Sequence, residues 1–220
     1  MRLRGAIFDM DGTMLDSMQV WENAGEDYLR TLGCVPEEGV GELMKSMSLQ
    51  QAALYCRERY ALPLSVEEIM AGVNGRVERF YRQEARLKPG ALDFLRTLSQ
   101  RGVRMCLATA TDLHLVEAAL DRCGVRTYFS ALFTCTQVGS GKDEPHIYRA
   151  ALRHLGTGRA DTLVFEDALY AARTAKGDGF VTVGVADAYE KSEGELERLS
   201  DCFLRDFREV DQFWKFVSAC

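Results

Sequence analysis

Four places in the chain bring reactive side chains to the ends of apolar runs. The stretch AIFDMDGTMLD carries Asp9 and Asp11, separated only by Met10 and followed by Gly12 and Thr13. Two carboxylates this close repel each other, and each resists losing its water. Either they stand on a wet turn or a positive group is expected between them. The alternation of a strand sends both to one side and Met10 to the other, and Gly12 allows a turn that few residues tolerate. The run VRMCLAT ends at Thr109, with Ala110 and Thr111 opening a helix whose N–H groups suit an anion. Lys142 lies in the loop GSGKDEP, and the run TLVFED ends in Glu166 and Asp167.

Taken singly, each has an ordinary explanation. A lone Asp-x-Asp is usually a solvated turn, Thr109 could cap a helix, Lys142 could be a surface lysine, and an acidic pair before a helix favours its dipole. Together they place four acids, a hydroxyl and one lysine on a single rim. A divalent cation would stabilise that set. Oxygen ligands of this kind suit Mg²⁺, which keeps several waters and commonly joins carboxylates to a substrate phosphate. The lysine and threonine would then take the remaining phosphate oxygens.

The elements that must position these groups follow a strand–helix rhythm. Residues 3–8 read as a buried strand. From Asp16 to about Arg86 the text is helical instead. SMQVWENAGEDYLRTLG, SLQQAALYCRERYAL and SVEEIMAGVNGRVERFYRQEARL show helical apolar spacing, punctuated by Gly33, Pro36 and Pro63. Ser65 with Glu68 fits a capping box. After KPGA, helix and strand alternate: helix to Gly102, strand VRMCLAT, helix DLHLVEAALDRCG with Asp112 as N-cap, strand ALFTC, helix PHIYRAALRHLG, strand DTLVFED, helix ALYAARTAKGDG, strand FVTVGV, a charged helix, strand DCFLRD and a final helix. This predicts an α/β fold with a Rossmann-like parallel sheet, helices on both faces, ligands at the carboxyl ends of the strands, and an inserted all-helical block. The expected division is 1–15 core, 16–87 helical cap and 88–220 core. No internal repeat or low-complexity tract is visible.

The bulk numbers restrict partners. The 220 residues carry a net charge of −6, which disfavours nucleic acid. No run approaches the roughly 20 apolar residues of a membrane helix. Seven cysteines without CxxC spacing read as free thiols in a reducing cytoplasm, and a monomer is the simplest expectation.

These residues resemble the haloacid dehalogenase superfamily, in its β-phosphoglucomutase and phosphoglycolate-phosphatase-like branch. The family's DxDGT signature matches Asp9-Met10-Asp11-Gly12-Thr13. Its second motif falls on Thr109, its third on Lys142, its fourth on Glu166-Asp167, and the helical insert matches its cap. The resemblance implies that Asp9 is a nucleophile forming an aspartyl-phosphate, and that Asp11 is the general acid and then base. It implies Mg²⁺ bound by the Asp9 carboxylate, the Asp11 backbone carbonyl and Asp167, with Glu166 direct or through water. Thr109, Lys142 and the N–H groups after Asp9 and Thr109, including Ala110, would hold the phosphoryl oxygens. An acid at Asp11 points to a phosphatase or mutase acting on a small phosphorylated metabolite such as a sugar or polyol phosphate. Trp21 and Lys45 are candidate substrate contacts in the cap, and Asn74 a candidate bridge between cap and core. Trp21 stands where the branch's mutases place a histidine, and Asp143 where the third motif usually has proline. The alternatives are a sugar-phosphate mutase, a receiver-like phospho-accepting signalling domain, and a binding protein of the same fold without activity. Closure of the cap would hinge near Leu15–Ser17 and Arg86–Pro89.

Overall fold

The computed structural model describes residues 2–44 and 47–219. Six parallel strands form one sheet: β1 (Gly5–Phe8), β2 (Arg104–Thr109), β3 (Ala131–Thr134), β4 (Thr162–Glu166), β5 (Val181–Val185) and β6 (Cys202–Leu204), in the order β3-β2-β1-β4-β5-β6. β1 lies inside the sheet, between β2 and β4, with Ile7 in register with Cys106 and Val164. Its four residues are all buried, as expected of a strand with helices over both faces.

The period of two divides the strand residues between two packed layers. Ala6, Phe8, Leu107, Leu163 and Phe165 face one way, together with Phe94, Phe207 and Phe213. Phe8 stacks on Phe165 with ring centroids 4.2 Å apart. Ile7, Cys106, Ala108 and Val164 face the other way, against Ile147, Tyr148 and Ala151.

Among the described residues, five helices make up the block between residues 16 and 87: α1 (Met18–Trp21), α2 (Ala24–Thr31), α3 (Val40–Met44), α4 (Leu49–Arg59) and α5 (Val66–Gln83). The expected single helix over 17–33 is broken at Glu22–Asn23, where Asn23, Ala24 and Gly25 bring two poor helix formers together. The Ser65–Glu68 capping box is formed, with Glu68 N donating to Ser65 Oγ at 3.1 Å and Ser65 N to Glu68 Oε2 at 2.7 Å. Ile69, Val73, Asn74, Val77 and Tyr81 form the buried stripe of α5. Leu29, Ala53, Cys56 and Ile69 make a separate apolar cluster within these helices. The chain enters and leaves the block side by side: Leu15 bridges Leu87, Asp16 N donates to Arg86 O at 3.0 Å, and Lys88 N donates to Met14 O at 2.8 Å.

The sheet helices are α6 (Ala91–Gln100), α7 (Leu113–Arg122), α8 (Cys135–Val138), α9 (His146–Leu155), α10 (Leu169–Gly177), α11 (Glu193–Leu199) and α12 (Val210–Ala219). The short α8 begins at Cys135, which the sequence reading gives to the preceding strand. Asp112 precedes α7 in extended conformation but makes no side-chain cap bond. Its carboxylate accepts instead from Asn74 Nδ2 at 2.7 Å and Thr136 Oγ1 at 2.9 Å. No disulfide joins the described cysteines, and no described helix is long and apolar enough to cross a membrane.

Candidate active site

The carboxyl ends of β1, β2 and β4 open on one cavity of about 410 Å³, lined by Asp9, Asp11, Thr109, Lys142, Glu166 and Asp167 among others. All four sequence motifs therefore meet there. Asp9 is fixed through its backbone, whose N–H donates to Phe165 O at 3.0 Å. Its carboxylate accepts from Lys142 Nζ. The same ammonium donates to Glu166 Oε1 at 2.7 Å, and Tyr148 OH donates to that oxygen at 2.7 Å. Lys142 is buried. Burial alone would lower its pKa, but the charges of Asp9 and Glu166 hold it well above the ordinary value.

One lysine does not balance the acids around it. Burial, Asp9 and Glu166 push the Asp167 carboxyl well above the carboxylate range. Burial also pushes Glu166 up to about 7, against the pull of Lys142. Thr13 Oγ1 steadies Asp167 by donating to Oδ1 at 2.7 Å. Oxygens of Asp9, Glu166 and Asp167 all lie within 4.8 Å of one another. A buried, all-oxygen set with surplus negative charge fits a hard divalent cation such as Mg²⁺.

Gly12 makes the turn after Asp11 with φ +80. A Cβ there would stand 2.2 Å from Asp167 Oδ2. The position therefore needs glycine twice, for its backbone angle and for the approach of the fourth motif.

Asp11 differs from Asp9. Its Oδ1 accepts from Ser17 Oγ at 2.6 Å and from Tyr81 OH, and its Oδ2 accepts from Thr111 Oγ1 at 2.7 Å. Tyr81 in turn accepts from Trp21 Nε1. Burial and then the charge of Asp9 raise the Asp11 pKa, against the pull of these three donors. A carboxyl whose proton affinity is raised in this way suits proton transfer.

Thr109 Oγ1 accepts from Thr111 N at 3.1 Å, and Ala110 joins the cavity lining. Trp21 lines the cavity with its indole N–H turned to Tyr81. Lys45 lies outside the described residues. Asn74 does reach from α5 to the loop after β2, through Asp112. Sequence reasoning missed Ser17, Tyr81, Tyr148 and the buried Lys88, which pairs with Asp187 at 2.8 Å and donates to Ala186 O at 2.6 Å. A polar residue on the apolar stripe of α5 was the available signal for Tyr81.

The family model for haloacid dehalogenase-like hydrolases matches residues 3–177. The chain belongs to that family and is a phosphoric monoester hydrolase. It is 32% identical to a probable pseudouridine-5'-phosphatase of Drosophila melanogaster, with 92% of this chain and 90% of that one covered. It is 27% identical to hexitol phosphatase B of Escherichia coli, with 95% of each covered. Among solved structures, a variant of CbbY from Rhodobacter sphaeroides in complex with xylulose-(1,5)bisphosphate superposes with a TM-score of 0.81. The two are 25% identical, and the match covers 94% of this chain and 96% of that one. Membership in this family sets aside the receiver-like reading.

Proposed function

We propose that the protein hydrolyses the phosphate monoester of a small sugar or polyol through an aspartyl-phosphate on Asp9, with Mg²⁺ as cofactor. The observation that carries this reading is the pairing of two unlike carboxylates on one cavity floor. Asp9 is buried against Lys142 beside Glu166 and Asp167, and Asp11 is held by three donors on the neighbouring side. The names of the relatives, a hexitol phosphatase among them, support the substrate class.

In this reading residues 16–87 act as a cap over a core built from 1–15 and 88–220. The cation would be held by the carboxylates of Asp9 and Asp167 and the Asp11 backbone carbonyl, with Glu166 in reach. When bound, it neutralises phosphoryl charge and orients the ester for in-line attack. The Asp9 carboxylate attacks phosphorus while Asp11 gives its proton to the leaving oxygen. Asp11 then takes a proton from the water that cleaves the aspartyl-phosphate, returning both acids to their starting states. Lys142, Thr109 and the N–H groups at Met10 and Ala110 hold the phosphoryl oxygens. Every one of these groups comes from a single chain, which supports activity as a monomer. Cysteines without a disulfide among the described residues fit a reducing compartment such as the cytoplasm.

The test is phosphate release from a panel of sugar and polyol phosphates, with and without a chelator, by the parent and by Asp9→Asn and Asp11→Asn. Turnover should need the metal and both carboxylates, and acid quenching should trap phosphate on the parent protein. Undiminished turnover in Asp9→Asn would overturn the mechanism.

A further inference from the structure

The loop from β5 to α11 crosses one wall of the cavity. It contributes Asp187, Tyr189, Glu190 and Lys191 to the lining, beside Asp9 and Asp167. It starts near the floor, because Gly184 of β5 is in register with Glu166 of β4. Further on it meets the helical block, where Lys191 Nζ lies 3.6 Å from Glu42 Oε2. A leaving group reaching out from Asp9 would run along this loop.

Three acceptors fix the loop. Asp187 Oδ1 accepts from Tyr189 N at 3.0 Å, which folds the chain back on itself. Glu190 Oε2 accepts from Leu169 N at 3.0 Å, at the start of α10, where Ala168 offers no cap. Asp187 Oδ2 accepts from Lys88 Nζ at 2.8 Å, and the same ammonium donates to Ala186 O at 2.6 Å. Lys88 stands where the helical segment rejoins the core, and its own backbone is anchored. Lys88 N donates to Met14 O at 2.8 Å, and Phe207 N donates to Pro89 O at 3.1 Å.

The side chains of Lys88 and Asp187 are only 9% and 4% exposed. An apolar pair of similar volume often serves stability as well as a buried ion pair does. What the ion pair adds is direction, since the ammonium must meet Ala186 O and Asp187 Oδ2 together. Tyr189 is the residue this frame presents. It is half-buried, and its hydroxyl has no hydrogen-bond partner among the described residues. The lining carboxylates of Glu22, Glu26, Glu42 and Glu190 accept hydrogen bonds and, when ionised, donate none. A phenol does both.

We propose that Tyr189 contacts the leaving group and sets which esters are cleaved fastest, and that Lys88 is a positioning residue that holds Tyr189 there through Asp187. The proposal rests on the phosphatase reading above and adds to it a specificity residue from the core side of the cavity.

The experiment measures kcat/KM of the Mg²⁺-loaded enzyme for sorbitol 6-phosphate and ribose 5-phosphate, each as a ratio to acetyl phosphate, whose acetate leaving group has no chain to reach the loop. For the better sugar ester, Tyr189→Ala should lower that ratio by about tenfold, the equivalent of roughly 1.4 kcal/mol, mainly through KM. Tyr189→Phe removes only the hydroxyl and should lower it about threefold, as for one neutral hydrogen bond. Lys88→Met should lower it as far as Tyr189→Ala does, and little further when the two are combined. Where Lys88→Met alone fails to fold around the stranded carboxylate, Lys88→Met with Asp187→Asn carries the test. In either form the amides of Tyr189 and Ser192 should exchange about tenfold faster while those of β4 do not, a readout that needs no turnover. A ratio unmoved by Tyr189→Ala overturns the contact. Additive losses in the combined variant, or equal slowing of sugar ester and acetyl phosphate, overturn the positioning role. In each case Asp9-dependent cleavage by the parent leaves the phosphatase reading standing. If the parent cleaves no ester, that reading falls, and calorimetry of sorbitol 6-phosphate on Asp9→Asn decides the contact. Binding about tenfold weaker with Tyr189→Ala added would sustain it, and equal binding would overturn it.

Discussion

Tyr81, near the end of α5, donates its hydroxyl hydrogen to Oδ1 of Asp11, in the loop after the central strand β1. The contact joins the helical block to the proposed proton carrier, and Trp21 completes it by donating to the tyrosine oxygen. Tyr81→Phe would leave the indole N–H without its acceptor and remove one of three donors from Asp11. An unpaired buried group costs about 1–3 kcal/mol, so kcat should fall by roughly tenfold. KM should change little, because the proposed phosphate seat is untouched. An equal fall in kcat/KM through KM alone would argue that Tyr81 merely packs.

Metal binding should be visible as stability. The raised pKa of Asp167 means that its folded carboxyl binds protons more tightly than its unfolded one. Such a group opposes folding once the pH exceeds its unfolded value. Asp167→Asn should therefore raise the melting temperature of the metal-free protein near pH 7, and Thr13 can still donate to the amide oxygen. Mg²⁺ should raise the melting temperature of the parent in a concentration-dependent way and do far less for the variant. A parent insensitive to Mg²⁺ would count against the metal assignment.

Gly12→Ala tests the close approach of the first and fourth motifs. The left-handed backbone alone costs an alanine roughly 1–2 kcal/mol, before its methyl meets Asp167 Oδ2. We expect a melting temperature several degrees lower, with Mg²⁺ affinity falling as well. Normal Mg²⁺ affinity in a folded Gly12→Ala would show that Asp167 is free to move.

Acid stability should depend in part on Asp178. Its carboxylate accepts from Arg149 Nε at 3.1 Å and Arg159 Nη2 at 2.8 Å, and Arg149 is the main cause of its lowered pKa. A depressed carboxyl stabilises the fold above its unfolded pKa of about 3.9, and that contribution is lost as pH falls through the lower folded value. The two guanidinium groups are 45% and 41% exposed, so screening limits the effect to about 1 kcal/mol or less. Asp178→Asn should lower the melting temperature at pH 7 and converge on the parent near pH 2. Parallel curves over that range would refute it.

What was legible in the sequence is what neighbouring residues decide. The run into Asp9, the turn at Gly12, the Ser65 capping box and the acidic pair after β4 are each written in a few adjacent positions. The strand–helix rhythm of the second half is also local. The supporting bonds are not. Tyr81 lies 70 positions from Asp11, and Thr111 lies 100 from it. Asp112 reads as a cap from its neighbours, yet Asn74 and Thr136, from two distant elements, claim both of its oxygens. The break between α1 and α2 turned on weak propensities that apolar spacing outweighed in the reading.

The bridge between Leu15 and Leu87 has a consequence for how such a chain can change. The two ends of the intervening segment are already neighbours, so the sheet imposes little on how much chain runs between them. Closing a longer or shorter excursion across that gap changes the entropy only logarithmically with its length. Exchange of the whole segment for another of different size should therefore leave the strand order intact, and a lineage could acquire a new cavity wall in one recombination event while inheriting Asp9 and Asp11, the proposed reacting carboxylates, unchanged.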